Sequence, residues 1–151
     1  MRICTLLLCM FSFTLLFGQI KITDVGDGWK GKVEQALDTI KKYDTEKYNL
    51  VIGSCMLVGY WNESFSTTEG DTTILISTKD MDFNNIYNIA SILVHESTHL
   101  YIKQLYIKVP PNKEEVLAYQ YELDFLKKIP NVDQWLIDNS NKMIIYYSGK
   151  N

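Results

Sequence analysis

Apolar positions along this chain fall into blocks with different periods. Val33, Ala36, Leu37 and Ile40 recur at i, i+3, i+4 and i+7, which predicts an amphipathic helix from Trp29 to Tyr43. Gly26-Asp27-Gly28 ahead of it is a loop signal. Residues 50–61 are rich in Val, Ile, Leu and Tyr and predict one or two strands, with Gly53 as the break between them. Glu69-Gly70-Asp71 marks a turn. Residues 72–77 then alternate, with Ile74 and Ile76 on one face and Thr73, Leu75 and Ser77 on the other, as in a strand with one side on a core.

The second half changes to a helical period. A long helix is expected to begin near Asp82 or Asn84, either of which can cap it, and to run to about Tyr106 with Ile86, Ala90, Leu93 and Leu100 facing the core. Pro110 and Pro111 interrupt it, and Asn112 is suited to cap the next helix. That helix is expected over residues 113–128, with Val116, Tyr119, Leu123 and Leu126 in register and Pro130 as its stop. Beyond Val132 the pattern suggests one short helix, with residues 143–147 returning to the core. There is no internal repeat and no low-complexity tract. Helix, strands, helix, helix reads as a small α+β domain.

The first nineteen residues stand apart. Arg2 precedes an apolar run from Ile3 to Phe17, then Gly18, Gln19 and a switch to polar sequence at Lys21. A positive start, an apolar stretch and a small residue at its end describe a signal peptide over residues 1–19, leaving a domain over 20–151. The run falls short of the roughly 20 apolar residues of a comfortable membrane span. The domain is accordingly expected outside the cytoplasm, secreted or periplasmic, with a membrane tether if the segment stays uncleaved. Cys4 and Cys9 would leave with it, so Cys55 has no intrachain partner and reads as a buried structural thiol.

Composition narrows the function by exclusion. With 151 residues there is room for one core, and 46% hydrophobic residues exclude a disordered chain. The net charge of -3 comes without a cluster of Lys or Arg, which argues against nucleic acid as a partner.

The chemistry concentrates in His95-Glu96-Ser97-Thr98-His99, an H-E-x-x-H motif inside the expected long helix, and these are the chain's only two histidines. Residues four apart lie one above the other, so both imidazoles project from one helix face and can reach one zinc. Glu96 sits beside them as a general base that does not itself ligate the metal. A catalytic zinc needs a third protein ligand and a free fourth position. The following helix offers Glu114, Glu115 and Glu122. Glu115 shares a face with Ala118, Tyr119 and Glu122, and the small Ala118 permits close approach to the histidine helix. Glu114 lies about 100° round the helix and is expected to face solvent. Glu122 is expected to be solvated or salt-bridged, with a second-layer contact to a histidine as the alternative.

The motif, followed by a second helix bearing Glu115-Val116-Leu117-Ala118-Tyr119, resembles the gluzincin metallopeptidases, especially small single-domain members. The resemblance covers roughly residues 72–128. It implies a zincin-like fold: an N-terminal helix, a small edge-exposed sheet, the motif helix and a second, ligand-bearing helix. It implies zinc held by His95, His99 and Glu115, and it implies that strand 72–77 forms a sheet edge along which a peptide or protein substrate binds in extended form.

The activity expected from these readings is hydrolysis of peptide bonds by a zinc-activated water, with Glu96 as base. Tyr119 is the leading donor to the developing oxyanion, Tyr146 and Tyr147 being others. The alternative is a zinc-bearing domain of the same fold that binds peptides without useful turnover.

Overall fold

A computed structural model of the chain describes residues 19–23, 26, 28–79 and 85–150. Most of the expected signal segment, 1–19, and both expected caps, Asp82 and Asn84, lie outside the described residues. Among the described residues are five helices and a four-stranded mixed sheet, an α+β fold. In chain order they are β1 (Lys21–Ile22), α1 (Trp29–Tyr43), α2 (Thr45–Ser54), β2 (Leu57–Trp61), β3 (Thr67–Glu69), β4 (Thr73–Ser77), α3 (Ile86–Gln104), α4 (Pro111–Leu126) and α5 (Gln134–Ser148).

Helix α1 forms where its period predicted, burying Val33, Ala36 and Ile40. The strand-like stretch 50–61 divides differently. Its first part belongs to α2, because Asp44 caps that helix by accepting from the Lys47 backbone N–H at 3.2 Å, and Lys47, Val51 and Ser54 then recur on one buried face. Capping and burial outweigh the β-propensity of Val51 and Ile52. Only residues 57–61 pair as a strand.

The sheet order is β1-β2-β4-β3. Strands β1 and β2 run parallel to their neighbours, with Val58 opposite Ile74, while β3 returns antiparallel with Thr68 opposite Ile74. The buried pair Ile74 and Ile76 follows the predicted alternation. The expectation that 72–77 forms the sheet edge is corrected, because β3 covers that side of β4 and the open edge belongs to Thr67–Glu69. The cause is the turn at Gly70, whose φ of 61° suits glycine and folds β3 back along β4.

Helix α3 runs through the centre of the fold and touches α1, α2, α4, β3 and β4. It is buried on most of its surface, and Asn85 caps it by accepting from the Asn88 backbone N–H at 3.1 Å. At its other end, Lys103 Nζ donates to Gly70 O at 2.6 Å and Gln104 Nε2 to Asp71 O at 2.7 Å. These bonds fix the β3–β4 turn to the helix that carries the motif.

Helix α4 starts at Pro111, a residue whose fixed φ suits a first turn. Asn112 does not cap it; its Nδ2 instead donates to Lys150 O at 2.8 Å. The tail is one helix of 15 residues rather than a short one. Leu136 and Ser140 are its buried residues, while Ile145 and Tyr146 are exposed, so residues 143–147 do not return to the core.

Candidate metal centre

His95 and His99 project from α3 into a cleft also reached by Glu115 of α4. His95 Nε2 lies 3.2 Å from His99 Nε2. Each Nε2 lies 3.6 Å from an oxygen of Glu115. Ligand atoms at about 2.0–2.1 Å from one tetrahedral zinc stand about 3.3–3.4 Å apart, so these separations suit a shared ion. Ala118 is fully buried where α4 meets the core, as expected of a residue that lets two helices approach.

The two Nδ1 atoms face away from Glu115 and find carboxylates of their own. His99 Nδ1 lies 2.7 Å from Glu114 Oε1, and His95 Nδ1 lies 3.1 Å from Glu122 Oε2. With Nδ1–H donating to a carboxylate, each ring leaves the Nε2 lone pair for a metal. Glu114 was expected in solvent and is instead part of the site. Neighbours on a helix diverge by about 100°, and an imidazole presents its two nitrogens in different directions. Glu115 and Glu114 therefore meet opposite sides of the histidine pair. Glu122, two turns beyond Glu115, is buried against His95 Nδ1, the contact the sequence left as the alternative to a solvated position.

Electrostatics agree with a cation-binding cluster. Burial alone would lower the pKa of His95, but Glu115 and Glu122 outweigh it and push it up to about 10. Burial works against the Glu115 carboxylate too, yet His95 and His99 hold it below its ordinary value. A proton and a metal ion compete for the same Nε2 position, and a divalent cation meets the surrounding carboxylates with more charge.

Glu96 is buried beside the trio and lines the cleft. Burial raises its pKa against the opposing pull of His95 and His99. No hydrogen bond to its carboxylate occurs among the described residues, which leaves it free to meet a ligand. Tyr119 packs its ring edge-on to His95, with centroids 4.3 Å apart, and stacks on Tyr147 at 6.1 Å. Burial and the nearby Glu122 and Glu115 push its hydroxyl pKa up, so it stays a proton donor. Tyr147 also lines the cleft; Tyr146 is an exposed neighbour.

The cleft has a volume of about 870 Å³. Residues 64–68 contribute to its lining, as do Trp135, Asn139, Met143 and Tyr147. The last four are spaced by four and so form one stripe along α5. Of these residues only Tyr147 was expected at the site from the sequence. Cys55 lies apart; its thiol is buried, as expected, and donates to Leu57 O at 3.2 Å.

The chain matches no protein-family model, no curated protein and no solved structure. Within the described residues, the fold is α+β and its His95, His99 and Glu115 form a group able to hold a metal ion.

Proposed function

We propose that the protein is a zinc-dependent metallopeptidase-like hydrolase with a zincin-like arrangement, cleaving peptide bonds in the cleft beside His95, His99 and Glu115. One observation carries the reading: both Nε2 atoms converge with Glu115 while Glu114 and Glu122 occupy both Nδ1 atoms. Zinc at this site would polarise a scissile carbonyl and acidify water towards a pKa of about 7.

The chain's own groups supply the rest. Glu96 takes the proton of the attacking water and delivers it to the leaving amine nitrogen. Tyr119 donates to the oxygen that gains negative charge. An extended peptide finds open backbone hydrogen-bonding groups along β3, whose Thr67 and Thr68 line the cleft.

The test compares the parent chain with Glu96→Gln for zinc content and for cleavage of a panel of unfolded proteins and peptides. The variant should keep its zinc and lose cleavage by about 10²–10⁴-fold. Equal cleavage by both proteins would remove Glu96 from the mechanism. Peptide binding with zinc but no cleavage of any substrate would leave the binding-domain alternative.

A further inference from the structure

Helix α5 carries no metal ligand, yet it reaches the centre through a buried hydroxyl. Ser140 is fully buried, and its Oγ lies 2.9 Å from Glu122 Oε1. It also lies 2.9 Å from Leu136 O, the carbonyl one turn back that any helical serine can use. A hydroxyl has one proton to give, and a carboxylate is the stronger acceptor. The other oxygen of the same carboxylate faces His95 Nδ1 at 3.1 Å. Among the described residues, Ser140 supplies the only hydrogen bond to Glu122 Oε1.

We propose that Ser140 is a positioning residue for the metal centre, holding Glu122 in the one orientation that presents His95 Nε2 to the ion. The inference rests on the metal-site reading above and extends it to a third helix. Without the hydroxyl, Oε1 is a buried acceptor with no partner, a costly state. The carboxylate relieves that state by turning towards another donor, which loosens its hold on His95. Partners one layer behind metal ligands set affinity by about 10–100-fold.

The experiment measures zinc affinity by competition with a chromophoric chelator for the full chain, Ser140→Ala, Glu122→Gln and the double variant. The thermal midpoint of each metal-free protein is recorded alongside. Ser140→Ala should bind zinc about tenfold more weakly, and its metal-free midpoint should fall only by what one lost buried hydrogen bond costs, so that the folded protein can still be titrated. The double variant should bind no more weakly than Glu122→Gln alone, because Ser140 acts through Glu122. Parent-like affinity in Ser140→Ala, or losses that simply add, would overturn the proposal. If Ser140→Ala does not fold, Ser140→Cys, close in volume and a weak donor, is read by the same two criteria. Absence of zinc from the parent overturns the metal-site reading itself and this inference with it. A zinc-binding parent with an indifferent Ser140→Ala overturns this inference alone.

Discussion

Glu114 and His99 face each other across 2.7 Å, between the first turn of α4 and the fourth turn of α3. A carboxylate at a helix start ordinarily needs no partner beyond the helix dipole. Here it turns one imidazole, and the adjacent residue Glu115 lies near the opposite nitrogen of that ring. Glu114→Gln should therefore weaken zinc binding by about tenfold without abolishing it. Competition titration against the parent checks this, and an unchanged affinity would make the contact incidental.

Removal of a ligand should act more severely. His99→Ala and Glu115→Ala should each carry little zinc after dialysis, where the parent retains about one ion per chain. Elemental analysis of the three proteins decides it. Glu115→Ala at parent-like occupancy would reassign the third ligand to another carboxylate.

Asp44 joins three parts of the fold, the first through its backbone N–H, which donates to Ile40 O at 2.7 Å and closes α1. Its Oδ1 caps α2, and its Oδ2 accepts from Lys128 Nζ at 2.7 Å just past the end of α4. The side chain is almost wholly buried, so removing it leaves the Lys47 backbone N–H unpartnered. Asp44→Ala should destabilise the protein by about 1–3 kcal/mol. Urea unfolding monitored by circular dichroism measures the change. Lys128→Ala should destabilise as well, because it leaves the buried Asp44 Oδ2 without its cationic partner.

Cys55 gives a pH dependence of defined sign. Burial pushes its thiol up from 9.0 to about 11. Between those values the unfolded chain releases a proton that the folded chain keeps. The contribution of Cys55 to stability is thus fully present below about pH 9 and declines as pH rises through about 11. The parent should lose more stability than Cys55→Ala between pH 8 and pH 10, as measured by urea midpoints. In the folded parent, alkylation at about pH 8 should be slow, since the thiolate is the reactive form.

The N-terminal segment makes its own prediction. Expressed with an intact export pathway, the chain should be recovered outside the cytoplasm with a mass that begins near Gln19 or Ile20. A full-length mass in a membrane fraction would instead support a tether.

The two ends of the motif were legible because they are local. Residues four apart on a helix must share a face, and His95 and His99 do. The 3.6-residue period likewise placed α1, and a shared helix face placed Glu115 with Ala118 and Glu122. What escaped was set by tertiary contact. Glu114 lies about 100° from Glu115 round α4, a direction that reads as solvent until the far nitrogen of His99 is placed there by the packing of α3 on α4. Residues 50–54 have the composition of a strand, and only the cap at Asp44 and burial among neighbouring helices make them helical. The place of β4 within the sheet depended on where the Gly70 turn sends β3, which no period within residues 72–77 encodes. Ser140 is one serine among several in the sequence; its contact with Glu122 needs the α4–α5 packing before it exists.

Helix α4 carries the third candidate ligand and both carboxylates that turn the imidazoles, all within Glu114–Glu122. Inserting a single residue into α4 between Glu115 and Glu122 would rotate the rest of that helix by about 100° and advance it by about 1.5 Å relative to its first turn. Glu115 would keep the ring nitrogens it now approaches, while Glu122 would leave Ser140 and His95 together. Natural variants of this protein should accordingly keep the spacing from Glu115 to Glu122 unchanged. The non-helical link between α3 and α4 meets no such requirement, because a loop absorbs an added residue without turning the helix that follows.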